Sequence, residues 1–405
     1  MELIDGIAVF GDPVDKAALD QIRRTRAHPA VRGAALMADH HKGYAVPIGG
    51  VVAYENAISP AGVGYDIACG NKAVLTDMSG ADARVGINRI MDDVVATISF
   101  GVGRKNPERV DHELFDDPAW SAIKHLQLRD KAAAQLGTVG SGNHYVDVFT
   151  DEQDRVWVGA HFGSRGFGHG IASWALKEGG ARDGMDVAPL VLDADSTLGA
   201  EYIAAMTLAG RYAYAGRDWV CDRVVRILGA RKLDEVHNHH NFAWKENHAG
   251  QHVWVVRKGA TPAFGGQRGF VGGSMGDDAV ILEGIESSGN PLAAALNQEA
   301  SLFSTVHGAG RVMSRTAARG RRKKVGGRWV DDPAHPGRIS REDMQRWLGR
   351  SGVVLRGADT DEAPQAYKRL PEVLKHHAGT VRILHTLKPI GVAMAGAGEF
   401  DPYKD

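Results

Sequence analysis

The sequence predicts an α+β protein in which mixed β-sheets are flanked by helices. Short apolar stretches alternate with helical patterns in the first part of the chain, as in AVPIGGVVAYENAI at 45–58 and INRIMDDVVATI at 87–98. Residues 145–149 and 156–160 alternate between apolar and polar positions, which predicts two strands of a hairpin. Residues 168–230 predict the longest helical stretch, because their apolar side chains recur three and four positions apart.

Length and composition are those of a folded protein with a sizeable core. The chain has 405 residues, of which 43% are hydrophobic and 24% are charged, and these fractions exclude a disordered chain. Lysine and arginine total 48 against 49 acidic residues, a net charge of −1. The overall charge therefore indicates no particular class of partner. Neither an internal repeat nor a Pro/Ser-rich linker divides the sequence.

Several features bear on where the protein works. No apolar run approaches the ~20 residues of a membrane helix, and the opening MELIDGIAVFGD has early acidic residues and no basic segment typical of a signal peptide. The two cysteines, Cys69 and Cys221, exclude a disulfide framework and suit a reducing compartment. We therefore expect a soluble, cytoplasmic protein. Cys221 falls within the long helical pattern, which favours a buried structural cysteine.

One segment departs from the overall charge balance. From His307 to Arg350 there are twelve lysines and arginines and four acidic residues, a local net charge of +8. The densest part is ARGRRKKVGGR at 318–328, which we expect to be an exposed loop. A run of charge is most often a solvated surface. It indicates a polyanionic partner only if chemistry on phosphate is encoded nearby.

Four short islands of the sequence carry metal-ligating side chains. GVGYDIACGNK places Asp66 and Cys69 three residues apart, so one turn can offer a carboxylate and a thiolate to the same ion, and a bridging thiolate can serve two ions. His144 enters the first strand of the predicted hairpin and His161 leaves the second. Hairpin pairing can therefore place both imidazoles at one end of a sheet. EVHNHHNFAWKENH at 235–248 adds a dense group of histidines.

Each island alone is a weak signal. A histidine at a strand end most often has a structural role, and no C-x₂-C pair combines with an H-x₃-H pair in a tetrahedral zinc set. Taken together, the islands favour a functional site, because one Asp, one Cys and several His lie in them without enough thiolates for structural zinc. A mixed oxygen, nitrogen and sulfur set with open positions favours a catalytic metal site.

Two further segments suit phosphate chemistry. RKGATPAFGGQRGFVGGSMG is a glycine-rich loop flanked by Arg257, Lys258 and Arg268, whose backbone N–H groups can cradle a nucleotide, although it matches neither the P-loop nor the dinucleotide fingerprint. VHGAGRVMSR places His307 before two glycines and Arg311. A neutral imidazole beside a phosphate-binding arginine can attack phosphorus. From the spacing alone, a histidine that merely hydrogen-bonds a loop is the more common case.

Together these strings resemble the RtcB family of RNA ligases. The matching strings are GVGYDIACG, LGTVGSGNH, HFGSRGFGHG, HHNFAWKENH, RKGAT, GGSMG, HGAGRVMSR and EAPQAYK, in family order from about residue 33 to about residue 390. The resemblance covers nearly the whole chain, and eight strings in order are highly specific. It implies one compact α+β domain over 1–405 with the site in a central cleft, a basic insertion at about 316–350 and a short extra tail at 397–405.

The resemblance also implies an activity and a metal centre. The family joins RNA 3′-phosphate or 2′,3′-cyclic phosphate ends to 5′-hydroxyl ends, with GTP as co-substrate and two Mn²⁺ ions per chain. By resemblance, Cys69, His161 and His240 hold one ion. Asp66, Cys69 and His144 hold the second, so that the Cys69 thiolate bridges the two. By the same resemblance, His307 is the residue guanylylated by GTP.

Further site residues follow from the same resemblance. The positions that match the GMP site of the family are Asn143, Asp147, Asn241, Gly272, Gly273, Ser274, Met275, Gly308, Ala309, Gly310, Tyr367 and Met394. Arg165 and Arg311 are expected to hold RNA phosphates, mostly without base readout. The expected partner is RNA with broken ends, including tRNA halves. An activator of the archease kind accompanies parts of the family, and no membrane partner is expected.

The chain departs from the family pattern on the base-recognition side. Met394 stands at the position of a lysine that contacts guanine, and Asp147 stands where a Glu is usual. Ala279 replaces a small hydroxyl residue, and Gly272 replaces a proline. These departures put guanine selectivity in question, whereas the metal positions and His307 are unchanged.

Two other functions fit the same residues. One is a paralogue that uses the site as a metal-dependent phosphodiesterase or as a 3′-end nucleotidyl-capping enzyme. The RNA product distinguishes them: a ligase gives joined RNA, whereas these enzymes give hydrolysed or capped ends. A binding protein without catalysis is disfavoured, because the five metal positions and His307 are all present. The sequence indicates neither the physiological RNA nor the oligomeric state.

Overall fold

The computed structural model describes residues 1–182, 184–286, 291–326 and 328–396. Its strands are β1 (Glu2–Ile4), β2 (Ile7–Val9), β3 (Val31–His41), β4 (Ile48–Tyr54), β5 (Ala57–Ile58), β6 (Gly70–Ser79), β7 (Tyr145–Thr150), β8 (Arg155–Phe162), β9 (Leu192–Asp193), β10 (Lys232–His239), β11 (Asn241–His248), β12 (Gln251–Lys258), β13 (Ala260–Pro262), β14 (Arg268–Val271), β15 (Ala279–Gly284), β16 (Ser304–Val306), β17 (Gly320–Val325), β18 (Arg328–Pro336), β19 (Val354–Ala358) and β20 (Val381–Gly396). The predicted tail at 397–405 lies outside the described residues.

Helices lie between these strands along the whole chain. They are α1 (Lys16–Arg26), α2 (Pro60–Val63), α3 (Gly80–Thr97), α4 (Ala119–Ala122), α5 (Arg129–Gln135), α6 (Arg165–Glu178), α7 (Thr197–Leu228), α8 (Pro291–Ala300), α9 (Arg315–Arg319), α10 (Arg341–Ser351) and α11 (Leu370–Lys375), with 3₁₀ turns at Glu113–Asp116, Lys124–Leu126, Thr360–Glu362 and Pro364–Ala366. In the part of the chain that the structure describes, no helix is long and apolar enough to cross a membrane.

Two large sheets organise the fold and confirm the α+β prediction. The larger sheet has the strand order β10-β6-β8-β7-β20-β15-β14, and β19 pairs in parallel with β20. The smaller has the order β1-β2-β3-β4-β12-β11, in which β2 and β3 are parallel. The other pairs just named are antiparallel, so both sheets are mixed. Short two-stranded pairs join β13 with β16, β17 with β18 and β5 with β9. The single-domain organisation stays a prediction.

The chain passes from the larger sheet to the smaller one at a single corner. Strand β10 belongs to the larger sheet and β11 to the smaller, and His240 is the residue between them. The backbone N–H of His240 donates to the carbonyl of Cys69 at 2.8 Å, and that of Ala68 donates to the carbonyl of Asn241 at 2.7 Å. This corner therefore holds the turn before β6, which carries Asp66 and Cys69, against the start of β11.

The predicted hairpin is confirmed. Strands β7 and β8 pair antiparallel with Tyr145 opposite His161 and Thr150 opposite Val156. Because β8 also pairs with β6, His161 lies opposite Asn71, two residues beyond Cys69. The hairpin thus brings its His144 end towards the Cys69 turn.

The predicted continuous helical stretch at 168–230 is wrong in part, because it is two helices. Helix α6 ends at Glu178, where Gly179 and Gly180 follow, and Gly180 has φ +69°. That left-handed conformation is accessible to glycine and stops the helix. Helix α7 begins after Ser196, whose side chain accepts a hydrogen bond from the Gly199 N–H. Cys221 lies in α7 and is fully buried, as predicted.

The predicted exposed loop at 318–328 is also wrong in part. Helix α9 ends at Arg319, and β17 and β18 then form a two-stranded hairpin. Its strands place basic side chains opposite acidic ones: Arg322 pairs in register with Asp331, and Lys323 Nζ lies 3.2 Å from Asp332 Oδ1. Cross-strand charge pairs stabilise the hairpin without an apolar face. That explains why apolar alternation did not reveal it, although its basic side chains are largely exposed as expected.

Candidate active site

The turn at residues 66–69 presents the first two candidate ligands. The Cys69 N–H donates to the Asp66 carbonyl at 3.0 Å, and Ser164 donates to the Ile67 carbonyl through its backbone and its hydroxyl. Gly163 leaves room for the carboxylate, because a Cβ at that position would lie 2.3 Å from Asp66 Oδ1. The chain beside the turn is thus shaped around the Asp66 side chain.

The candidate ligands form two overlapping groups that share Cys69. One group is Cys69, His161 and His240, and the other is Asp66, Cys69 and His144; within each group the ligand atoms lie within 4.8 Å of one another. Cys69 Sγ is 3.2 Å from His161 Nε2 and 3.6 Å from His144 Nε2. His144 Nε2 is 2.9 Å from Asp66 Oδ2. The structure therefore brings together the five residues that the sequence singled out, in the two predicted sets.

The two histidines of the first group are prepared to act as ligands. His161 Nδ1 donates to the Asn143 carbonyl at 2.9 Å, which directs Nε2 towards Cys69. His240 Nδ1 is buried and has no hydrogen-bond partner among the described residues. Burial lowers the pKa of His161 to about 3 and that of His240 well below its usual value, so both rings are neutral and keep a lone pair.

The acidic ligands complete a donor set that fits a divalent transition metal. Burial raises the pKa of Asp66, but His144 and Arg165 more than offset this and hold that pKa at about 2. Burial and the neighbouring Asp66 raise the pKa of the Cys69 thiol well above its usual value, so metal binding must displace its proton. Thiolate, imidazole and carboxylate ligands together suit a divalent transition metal.

His307 lies beside the first group and is held by Asp39. The His307 ring centroid is 4.9 Å from that of His240. Its Nδ1 donates to Asp39 Oδ2 at 2.6 Å, and the backbone N–H groups of His307 and Gly308 point to the same oxygen at 3.1 and 3.3 Å. Asp39 is fully buried; burial raises its pKa, but these contacts with His307 outweigh that effect and lower it. The pairing leaves His307 Nε2 as the free nitrogen.

Sequence reasoning missed Asp39. It is 268 positions from His307, so no spacing links the two residues. The one local signal is an acidic residue at the end of the apolar run AALMADHH, because a buried carboxylate requires a partner. Gly310 completes the arrangement: it has φ +77°, and a Cβ there would lie 2.2 Å from the Asp39 carbonyl oxygen. Only glycine fits both the conformation and the space.

Arg311 is engaged inside the protein. Its Nη1 donates to Tyr367 Oη at 2.9 Å and to Glu362 Oε2 at 3.2 Å, and its Nη2 donates to the Asp361 carbonyl at 2.7 Å. Arg315 donates to the other oxygen of Glu362 at 2.8 Å. Burial raises the pKa of Glu362, but the two arginines more than offset this and hold it at about 2. Sequence reasoning also missed Glu362, and an RNA contact through Arg311 stays a prediction.

Arg165 lies beside the second group. Its Nη1 is 3.3 Å from His144 Nδ1, and a Cβ on Gly140 would lie 2.6 Å from its guanidinium. Arg165 has φ +56°, a strained conformation for a residue with a side chain, and such strain concentrates at functional sites. Its role as an RNA contact stays a prediction.

The residues matched to the nucleotide site fall into a polar part and an apolar part. In the polar part, Asn241 accepts from the Gly259 N–H at 2.7 Å, and Ser274 donates to Asp277 at 2.7 Å. In the apolar part, Met275 and Met394 belong to one buried cluster, together with Tyr145 and Ala279 from outside the matched set. Gly272, Gly273, Gly308, Ala309 and Gly310 lie in loop segments of the chain.

Two buried polar atoms in the apolar part lack partners. Tyr145 Oη and Asp147 Oδ1 are buried with no hydrogen bond among the described residues. Burial raises the pKa of Asp147 well above its usual value. A Cβ on Gly272 would lie 2.3 Å from Tyr145 Oη, so the tyrosine hydroxyl fills the space that a larger residue at 272 would need. This is where the chain departs from the family pattern.

Comparisons with known proteins identify the family to which this chain belongs. The family model described as "tRNA-splicing ligase RtcB" matches residues 21–125 and 116–395. "RNA-splicing ligase RtcB" of Escherichia coli (strain K12) is 31% identical over 94% of both chains. "tRNA-splicing ligase RtcB" of Archaeoglobus fulgidus is 30% identical over 94% of this chain and 91% of its own. These relatives are all named as ligases of RNA. The chain belongs to the RtcB family.

Proposed function

We propose that this protein is a GTP- and Mn²⁺-dependent RNA ligase that joins 3′-phosphate or 2′,3′-cyclic phosphate ends to 5′-hydroxyl ends through a guanylylated His307. The observation that carries the proposal is the position of His307. Its ring centroid lies 4.9 Å from that of His240, and Asp39 orients the ring. A side-chain nucleophile beside metal ligands is the arrangement that nucleotidyl transfer to a protein requires.

The proposed metal ligands are the two overlapping groups. Cys69, His161 and His240 would hold one ion, and Asp66, Cys69 and His144 would hold the other, so that Cys69 would serve both. When bound, two divalent ions neutralise the triphosphate and orient its α-phosphorus. The donor set accepts several divalent metals, so the choice of Mn²⁺ rests on the resemblance to the family.

His307 is the proposed nucleophile, and Asp39 controls its tautomer. With the proton on Nδ1 donated to Asp39, the Nε2 lone pair attacks the α-phosphorus of GTP. The Nε2–P bond forms as the bond to pyrophosphate breaks, and pyrophosphate leaves. The ring then carries a positive charge that the Asp39 carboxylate stabilises, as in other His–Asp pairs.

The later steps act on RNA. An oxygen of the RNA 3′-phosphate attacks the guanylyl phosphorus, which frees His307 and leaves an activated 3′ end. The 5′-hydroxyl then attacks the phosphorus of the former 3′-phosphate, the new phosphodiester forms and GMP leaves. Ends with a 2′,3′-cyclic phosphate are first hydrolysed to the 3′-phosphate. Arg165, beside His144, is the first candidate for holding an RNA phosphate, and Arg311 is the second.

RNA with broken ends, including tRNA halves, is the proposed substrate, and a cytoplasmic location with an archease-like activator remains part of the proposal. The residues matched to the GMP site are the proposed nucleotide contacts. Met394 and Asp147 depart from the family pattern, so selectivity for guanine is tested separately from the transfer chemistry.

A sealing assay tests the proposal. A 5′-hydroxyl RNA and a labelled RNA with a 3′-phosphate are incubated with GTP and Mn²⁺, and products are separated on a denaturing gel. Joined RNA that requires GTP and is lost in His307→Ala supports the ligase. Hydrolysed or capped ends without joined RNA would favour the phosphodiesterase or capping alternatives. His252→Ala is the matched control, because His252 is exposed on β12.

A further inference from the structure

Arg217 is a fully buried cation behind the candidate metal centre. It lies in α7 and has no solvent exposure. Its Nε donates to His237 Nε2 at 2.8 Å and its Nη2 to His239 Nδ1 at 2.9 Å. Its Nη1 donates to the carbonyls of Ala68 at 3.1 Å and Phe162 at 2.5 Å. Each nitrogen of the guanidinium is thus bonded to an acceptor.

Three of these partners are sequence neighbours of metal-ligand candidates. Ala68 precedes Cys69, Phe162 follows His161, and His239 precedes His240. Cys69, His161 and His240 are the three members of the first group. They come from three separate places in the fold: the turn before β6, the end of β8 and the corner between β10 and β11. One side chain is therefore bonded next to every ligand of that group.

We propose that Arg217 is a positioning residue that fixes the three ligands of the first metal site relative to one another. The proposal rests on the metal centre of the proposed function. A guanidinium presents its donors in a rigid planar fork, so its three hydrogen bonds to Ala68, Phe162 and His239 hold the adjacent ligands at set separations. Ligand atoms must be held within about 0.5 Å of their binding geometry for a metal site to work well.

The cost of burying this cation supports a functional role. The hydrogen-bond partners of Arg217 are two carbonyls and two imidazoles rather than a carboxylate. The Tyr214 ring, 5.3 Å from the guanidinium carbon, adds a cation–π contact. A buried charge without a charged partner is costly, whereas a long apolar residue would fill the same space at lower cost. The burial of the Arg217 guanidinium is explained if its hydrogen bonds are needed to hold the metal ligands.

The geometry predicts different effects at the two sites. Arg217 is bonded next to all three ligands of the first group, whereas in the second group it reaches only the neighbour of the shared Cys69. Loss of the guanidinium should therefore lower the metal affinity of the first site more than that of the site formed with Asp66 and His144. Replacement of a residue that supports metal ligands typically lowers metal affinity by about 10- to 100-fold.

The test compares Arg217→Lys and Arg217→Met with Arg223→Met as the matched control. Arg223 lies on the same helix but pairs with Glu108 and packs on Trp219. Metal-free proteins are titrated with Mn²⁺ by calorimetry and with Co²⁺ by absorption, in which the thiolate-to-Co²⁺ charge-transfer band reports on Cys69. Thermal unfolding of the metal-free proteins gives the apo Tm, which separates folding from metal binding.

We expect wild type and Arg223→Met to bind two ions per chain. In Arg217→Lys, affinity at one site should fall about 10- to 100-fold with an altered charge-transfer band, while the other site changes less and unfolding of the apo protein stays cooperative. Wild-type affinity at both sites in Arg217→Lys would overturn the proposal, as would equal weakening of both sites. If Arg217→Met does not fold, the lysine variant decides. Failure of wild type to bind any ion would instead contradict the metal centre itself.

Discussion

The metal side and the base side of the candidate site differ in how closely they follow the family pattern. On the metal side, five candidate ligands form two groups with ligand atoms within 4.8 Å, and His307 is fixed by Asp39 at 2.6 Å. On the base side, Met394 and Asp147 depart from the pattern, and Asp147 Oδ1 is buried without a partner among the described residues. If the proposed function is right, transfer chemistry depends on contacts built into the sheets, whereas base selectivity depends on a few side chains that can change.

The largest expected effect is on the metal side, at His307. We predict that His307→Ala abolishes RNA joining, because no other nitrogen takes the place of Nε2, while metal binding persists because His307 belongs to neither ligand group. Joining is measured with end-labelled RNA and metal content by calorimetric titration. Residual joining by this variant would show that another residue is the nucleophile.

The next effect is the loss of the shared ligand. We predict that Cys69→Ala removes binding of both ions, because Cys69 belongs to both groups. Calorimetric titration or metal analysis after desalting gives the number of ions per chain. Cys221→Ala is the control, since Cys221 is buried in α7 and belongs to neither ligand group. Two ions retained by Cys69→Ala would refute the bridging role.

A smaller effect is expected when the orienting carboxylate is made neutral. Asp39→Asn keeps the size of the side chain but cannot hold the His307 tautomer or stabilise the charged ring, so we predict a fall in nucleotidyl transfer of up to about 10⁴-fold. Single-turnover kinetics measure the rate, and metal titration should be unchanged. A rate within tenfold of wild type would mean that Asp39 has only a structural role.

The smallest effect is expected on the base side. We predict that Met394→Lys raises the preference for GTP over ATP about tenfold, because a charged hydrogen-bond donor in a buried pocket contributes about 1.5–3 kcal/mol. Rates of nucleotide transfer are compared for the two nucleotides, with Met394→Leu as the control for size and polarity. An unchanged ratio would place the base away from the cluster that contains Met394 and Tyr145.

Local pattern predicts much of this fold but not the contacts between distant residues. The hairpin of β7 and β8 follows from apolar alternation, and the ligand candidates follow from motif strings. The break between α6 and α7 depends on two glycines inside a helical pattern, and the β17–β18 hairpin depends on cross-strand charge. Asp39 and Arg217 could not be identified from spacing, because their partners are brought together only by the sheets.

Covalent labelling tests the central claim most directly. The wild type, His307→Ala and His252→Ala are incubated with each α-³²P-labelled NTP and a divalent metal, then separated on a denaturing gel. The account predicts an acid-labile label from GTP on wild type and His252→Ala, with none on His307→Ala, and peptide mapping should place it on His307. Label from several nucleotides would keep the chemistry but show relaxed base selectivity. No label on wild type from any nucleotide, or label that survives in His307→Ala, would contradict the account.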